Sequence, residues 1–216
     1  MKVSPSPTNE AARLAALHAY RILDTAPEEA FDAITRLAAA ICEVPIALIS
    51  LVDENRQWFK SAQGLTVKQT TREMGFCAHV ILTPDLMEVP DAKQDVRFKD
   101  HPLVLDQPHI RFYAGMPISD PHGYNLGSLC VIDRQPKSLL PAQRRALQEL
   151  SKVVVALIVT REAASALRQS EQRFHDAFEF AAIGMALVAL DGRWIKVNHA
   201  LCGIVGYPED ELMALT

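Results

Sequence analysis

A chain of 216 residues has room for one large domain or two modest ones. Its hydrophobic content of 49% supports a packed core and excludes a disordered chain. A net charge of −4, with no run of Lys or Arg, argues against a nucleic-acid binder, which carries a basic face.

The first ten residues read as a loose arm rich in Ser and Pro, and Met1 to Thr8 hold no apolar run of the kind a secretory signal needs. A helix is predicted over Glu10 to Leu23, with Leu14, Leu17 and Ile22 as its apolar positions. Thr25 and Glu28 have the spacing of a capping box, and Pro27 suits a first helical turn. The next helix places Phe31, Ile34, Leu37 and Ile41 on one stripe, and Pro45 is predicted to stop it.

Ile46 to Val52 is a nearly continuous apolar run with β-branched residues and reads as a central strand. Asp53-Glu54-Asn55 supplies a turn, Arg56 to Ala62 pairs back as a hairpin, and Gly64 closes it. Two further strands are predicted at Arg111 to Ser119 and Leu126 to Asp133, joined through Pro121, His122 and Gly123. Between the hairpins lie roughly 45 residues with short helical signals and one short strand near Leu86 to Val89. This order predicts an α+β fold, an antiparallel sheet with helices on one face. A long excursion from a rigid sheet is where a ligand pocket or lid is built.

From Pro141 to about Ala181 the pattern is helical. Ala146, Leu150, Val153, Leu157, Thr160, Ala164, Leu167, Glu171, Phe174 and Phe178 follow steps of four and three, a heptad seam. A helix of about 40 residues is about 60 Å long. Its first part is expected on the sheet and its second part against the same helix of a second chain, which predicts a homodimer through residues 141–181. The longest apolar run, Val153 to Val159, is too short to span a bilayer. Cys42, Cys77, Cys130 and Cys202 form no C-x-x-C pair, which fits a reducing cytoplasm and neither a disulfide framework nor a zinc site.

Four blocks, taken in order, carry a family resemblance: Pro45 to Asp53; Arg56-Gln57-Trp58-Phe59-Lys60; Phe76-Cys77-Ala78-His79; and Gly127 to Asp133. With Asp91-Ala92-Lys93-Gln94-Asp95-Val96-Arg97-Phe98 and Arg111-Phe112-Tyr113-Ala114-Gly115-Met116-Pro117, they resemble a GAF domain of bacterial sensor proteins over about residues 14–159. Ser170 to Phe174, Asp191-Gly192-Arg193-Trp194 and Gly206-Tyr207-Pro208 resemble the first half of a PAS domain. There Asp191-Gly192 is a hairpin turn, and Asn198 and Pro208 open short helices. The predicted divisions are thus an arm (1–10), a GAF-like sensor (11–159), a linking helix (141–181) and an incomplete PAS-like segment (182–216). With two strands only, that last segment is expected to be marginally stable, or the chain a fragment lacking its output domain.

The GAF resemblance implies a small-molecule pocket beneath the excursion. Its ligand is unknown. The signatures of cyclic-nucleotide and tetrapyrrole binders do not stand in this sequence, the Cys-His pair being split by Ala78. Candidate ligand-binding residues are Trp58, Phe59, Cys77, His79, Asp91, Arg97, Phe98, Arg111 and Tyr113. The aromatic ones either wall a pocket or fill a core, and the charged ones either orient a ligand or tie the excursion to the sheet. Cys77 is either a small buried residue or a nucleophile assisted by His79. No catalytic or metal site is predicted. The resemblance implies a cytoplasmic signalling module whose parent drives a histidine kinase or a cyclic-di-GMP enzyme. The alternatives are a GAF-fold redox enzyme, such as a methionine sulfoxide reductase, using Cys77 with Cys130, or a ligand-free dimerisation module.

Overall fold

A computed structural model describes residues 6–214. Residues 1–5 of the expected arm lie outside the described residues, and helix α1 (Glu10–Ala19) begins where that arm was expected to end. The chain divides into two compact units, Met1–Glu162 and Ala163–Thr216.

α1 stops four residues short of the expected Leu23, because Arg21 and Asp24 adopt left-handed backbone, with φ of 47° and 59°. Leu17 and Ile22 are still fully buried. The capping box does not form. Thr25 Oγ1 donates to the Ile22 carbonyl at 2.7 Å and accepts from Lys60 Nζ at 2.9 Å, while Glu28 takes the N-cap position of α2 (Glu29–Cys42) without a side-chain cap. α2 ends before Pro45, at Glu43, whose φ of 53° turns the chain.

The buried stripe of α2 differs from the expected one. Phe31 and Ile34 are buried, but Leu37 and Ile41 are 51% and 40% exposed. The core side is completed by Thr35, Ala38, Ala39 and Cys42 instead. At about 100° per residue, Leu37 falls well off the face defined by Phe31 and Ala38. Small residues let the helix lie close to the sheet.

The sheet is formed by β1 (Ile46–Val52), β2 (Arg56–Gln63), β3 (Gln69–Thr71), β4 (Met87–Val89), β5 (Phe112–Ser119) and β6 (Asn125–Asp133). Two short helices, α3 (Cys77–Val80) and α4 (Pro102–Leu105), lie in the excursion on either side of β4. The order is β3-β2-β1-β6-β5-β4, antiparallel throughout. β3 was not predicted, since Gln69-Thr70-Thr71 lacks an apolar alternation. Every residue of β1 is buried. Ala47, Ile49 and Leu51 enter one core with α1 and α2, while Ile46, Leu48 and Val52 enter a second core under the excursion. A strand buried on both faces loses the polar–apolar alternation, which is why this run is apolar except at Ser50.

The long helix α5 (Pro141–Glu179) has 39 residues. In the first unit it buries Gln143, Leu147, Ser151, Val154 and Ile158. Ser151 Oγ donates to the Pro117 carbonyl at 2.6 Å, and Gln143 Nε2 donates to the Ile41 carbonyl at 2.9 Å. Leu147, Ser151, Val154 and Ile158 each follow a residue of the expected seam by one. The seam therefore lies about 100° around the helix from the stripe that meets the sheet.

In the second unit, β7 (Ala186–Val188) and β8 (Trp194–Val197) form a hairpin that turns at Gly192, with φ of 92°. α6 (His199–Val205) is capped by Asn198, and α7 (Glu209–Met213) begins after Pro208. Among the described residues, no helix is long and apolar enough to cross a membrane.

Candidate functional site

The excursion covers a cavity of about 360 Å³ on the face of the sheet opposite α2. Its walls are mostly apolar. Ile46, Leu48 and Ile132 rise from the sheet, and Leu65, Phe76, Leu103 and Ile110 come from the excursion. A cavity of this size, apolar with a few polar groups, suits a small molecule.

Gln57 is a polar group set into this wall. It is 1% exposed, its Oε1 accepts from Ser50 Oγ at 3.5 Å, and its Nε2 is buried with no hydrogen-bond partner among the described residues. Gly75, also in the wall, makes room for it, since a Cβ there would fall on the Gln57 amide. A buried amide donor without an acceptor costs roughly 1–3 kcal/mol. Arg134 is exposed where it lines the cavity, and its Nε donates to the Pro108 carbonyl at 3.2 Å.

Of the expected ligand-binding residues, the structure brings Phe59, Cys77 and Tyr113 to the cavity. Trp58 is buried in the core on the other face. Phe98 stacks on Phe76, with centroids 4.1 Å apart, and His79 meets the Phe98 ring edge-on at 4.9 Å. Burial, then the charge of Arg97, draws the His79 pKa down. Asp91 and Arg111 form a two-point fork at 2.8 Å in both bonds, and that contact holds the Asp91 carboxyl at about 2. Arg97 forks onto Asp95 at 3.0 and 2.7 Å. These four charged groups satisfy one another rather than facing the cavity, and so brace the excursion.

Reading single residues missed Gln57, Leu65, Gly75, Leu103, Ile110 and Arg134. One signal was available for Gln57. The strand period of two puts Trp58 and Phe59 on opposite faces, so only one of them can face a pocket. Leu65 and Ile110 sit in loops and Leu103 in the four-residue helix α4, where no period announces an inward side chain.

A larger depression of about 590 Å³ opens beside α2, lined by Asp24, Asp32, Arg36, Lys60 and Lys68 among others. Lys60 is already held by Thr25 Oγ1, the Ala26 carbonyl and Glu28 at 2.9, 2.8 and 2.6 Å, so this groove offers no unmet polar group from Lys60.

The family model of the GAF domain matches residues 26–158. A cyclic di-GMP phosphodiesterase of Pseudomonas aeruginosa is 43% identical over 161 residues, covering 74% of this chain and 27% of that protein. The probable diguanylate cyclase DgcE of Escherichia coli is 48% identical over 50 residues, covering 23% of this chain and 4% of that protein. This chain therefore spans about a quarter of the first relative's length and far less of the second's. Among solved structures, the GAF domain of an Acinetobacter phosphoenolpyruvate-protein phosphotransferase superposes with a TM-score of 0.54 at 19% identity, covering 72% of this chain and 98% of that one. At that identity the likeness speaks for the fold.

Proposed function

Because this chain belongs to the GAF domain family, we propose that it is a sensory input module that takes a small, largely apolar ligand in the cavity between sheet and excursion. The observation that carries this reading is the buried Gln57 Nε2, without a hydrogen-bond partner among the described residues, in a mostly apolar wall. A ligand with a carbonyl or similar acceptor satisfies that donor while its apolar body fills the remaining volume. Phe59, Cys77 and Tyr113 are assigned to ligand contact. His79, Asp91, Arg97, Phe98 and Arg111 are assigned to supporting the excursion, and Trp58 to the opposite core.

The response is allosteric. β5 contributes Tyr113 to the cavity, and its Pro117 carbonyl holds Ser151 of α5. Ligand binding that shifts β5 thus biases the seating of α5 on the sheet. We assign α5 to a homodimer seam, supported by the exposure of Val153, Leu167 and Phe174 at 47%, 60% and 53% in a single chain. Residues 170–216 are assigned to the front of a PAS-like unit, supported by the β7–β8 hairpin and by helices opening at Asn198 and Pro208. The two relatives favour an output in cyclic di-GMP turnover, and we assign the module to the cytoplasm.

Native mass spectrometry of the purified chain, beside a denatured run, tests the ligand. The expected result is an added small mass that denaturation removes and that Leu65→Trp, which fills the cavity from its half-buried side, abolishes. A bare wild-type chain whose melting temperature ignores a panel of small carbonyl compounds refutes the ligand. For the seam, sedimentation should give a dimer that Leu167→Glu converts to a monomer, and a wild-type monomer refutes it.

A further inference from the structure

A cluster of polar and sulfur side chains lies on the cavity face of the sheet, where apolar packing alone would place Val or Leu. Cys130, in the middle of β6, is paired with Leu48 on one side and Gly115 on the other. Its Sγ is 3.8 Å from that of Cys77 on α3. The Tyr113 hydroxyl donates to Cys77 Sγ at 3.3 Å. Gly115 keeps space for this hydroxyl, since a Cβ there would stand 2.5 Å from it. Ser50 and Ser128 face each other across β1 and β6, and both are fully buried.

A cysteine that merely fills space needs neither a second thiol in contact nor a hydroxyl aimed at its sulfur. Both thiols are buried, but Cys77 also lines the cavity, which gives a small oxidant a path to it. We propose that Cys77 and Cys130 are a reversible redox pair, with Cys77 the sulfur attacked first and an internal disulfide the product. The proposal does not depend on the cavity's natural ligand.

The oxidant class is a hydroperoxide, taken here as hydrogen peroxide. The Cys77 sulfur attacks one oxygen and the O–O bond breaks. Cys77 becomes a sulfenic acid, and the departing hydroxide takes the Cys77 proton as water. Cys130 sulfur then attacks the Cys77 sulfur and the S–O bond breaks. The hydroxide released takes the Cys130 proton as a second water. Two thiols lose two electrons in all, and one peroxide becomes two waters. The Cys130 thiol first, and the Tyr113 hydroxyl with it, stabilise the Cys77 thiolate and draw its ionisation down against burial. Contact with Cys77 and burial push Cys130 well up. This asymmetry suits Cys77 to be the attacking sulfur.

Closing the pair brings the sulfurs from 3.8 Å to about 2.05 Å. Cys130 is fixed inside the six-stranded sheet, whereas Cys77 sits on a four-residue helix between loops, so α3 makes the movement. The disulfide would fasten α3, and with it Gly75 and Phe76 of the cavity wall, to the central strand.

Treatment of the reduced full chain with hydrogen peroxide, quenching by alkylation under denaturing conditions, and peptide mapping test this. The expected product is one linked pair, Cys77 with Cys130, that dithiothreitol reopens, while Cys42 and Cys202 remain alkylated. Cys130→Ser should leave a sulfenic acid on Cys77 that dimedone traps, and Tyr113→Phe should slow peroxide consumption several-fold near neutral pH. Cys77 and Cys130 both alkylated after peroxide, or a linkage through Cys42, Cys202 or a second chain, overturns the proposal. The wild-type map decides by itself, so the outcome does not rest on either variant folding.

Discussion

Replacing Asn198 by Ala should destabilise the second unit by about 3 kcal/mol. Asn198 is fully buried and uses its whole amide. Nδ2 donates to the Phe178 and Ile183 carbonyls, both at 2.9 Å, and Oδ1 accepts from the Met185 and Leu201 amides at 2.8 and 3.0 Å. One side chain thus joins the end of α5, the start of the β7–β8 hairpin and the first turn of α6. Four hydrogen bonds at about 1 kcal/mol each suggest a loss near 4 kcal/mol. Water can reach the neighbourhood of Ile183, which is 68% exposed, and this lowers the figure. The Leu201 bond is the N-cap of α6, worth about 1 kcal/mol alone. Ser at 198 should therefore recover about that much. Asp keeps both acceptor bonds but sets a carboxylate oxygen against two carbonyls, so near neutral pH it should be no better than Ala. Hydrogen exchange of amides in Ala163–Thr216, read against urea, measures each variant while the first unit serves as internal reference. An Ala variant within 1 kcal/mol of wild type, or an Asp variant clearly above Ala, would refute the reasoning.

Lys60→Met should cost about 3 kcal/mol, because the buried ammonium bonds Thr25, Ala26 and Glu28, and its removal leaves Glu28 with Arg161 as its remaining ion-pair partner. Urea denaturation followed at the first unit checks this. Burial raises the Glu10 pKa, but bonds from Arg13 and Arg72 outweigh it and hold the carboxyl at about 2, below its ordinary 4.5. A lowered folded-state pKa means that this stabilisation is complete above pH 4.5 and is lost as pH falls through about 2. Allowing for partial solvent screening, the loss is about 2 kcal/mol. Glu10→Gln should flatten that part of an acid titration of the melting temperature. Gly127→Ala places a Cβ 2.0 Å from the Ser50 carbonyl oxygen, inside the β1–β6 pairing. It should lower stability by about 3 kcal/mol or more, and a melting temperature unchanged from wild type would show that the strands separate freely there.

The regular parts of the fold were legible because their signals are periodic or positional. The apolar run of β1, the two hairpins, the uninterrupted α5 and the helix starts at Asn198 and Pro208 all stand where the sequence places them. The stripe of α2 misled because Leu37 and Ile41 look like core residues, while Thr35, Ala38, Ala39 and Cys42 do the packing. Hydrophobic size was mistaken for burial, where closeness to the sheet favours small side chains. Charge is an equally poor guide to burial here. The side chains of Lys60 and Arg13 are nearly inaccessible because partners distant in sequence, Glu28 for one and the Asn125 carbonyl for the other, reach them. The candidate site was the least legible part. Phe59, Cys77 and Tyr113 belong to regular elements, but half of the wall comes from irregular chain whose inward side chains are fixed only by tertiary packing.

The strand order has a consequence for how the chain is made. β1 and β6 lie side by side, although more than 70 residues of sequence separate them. During synthesis β1 can pair early with β2 and set one face against α1 and α2, yet its other edge and the face toward the excursion wait for later chain, the edge until Asp133 has left the ribosome. At about 5–20 residues per second that interval lasts several seconds. For this time an almost wholly hydrophobic strand is open along one side, a template for another nascent chain. Late closure at the middle of the sheet thus makes the first unit a client for chaperones, and substitutions that slow β6, Gly127→Ala among them, should lower soluble yield more than their effect on equilibrium stability suggests.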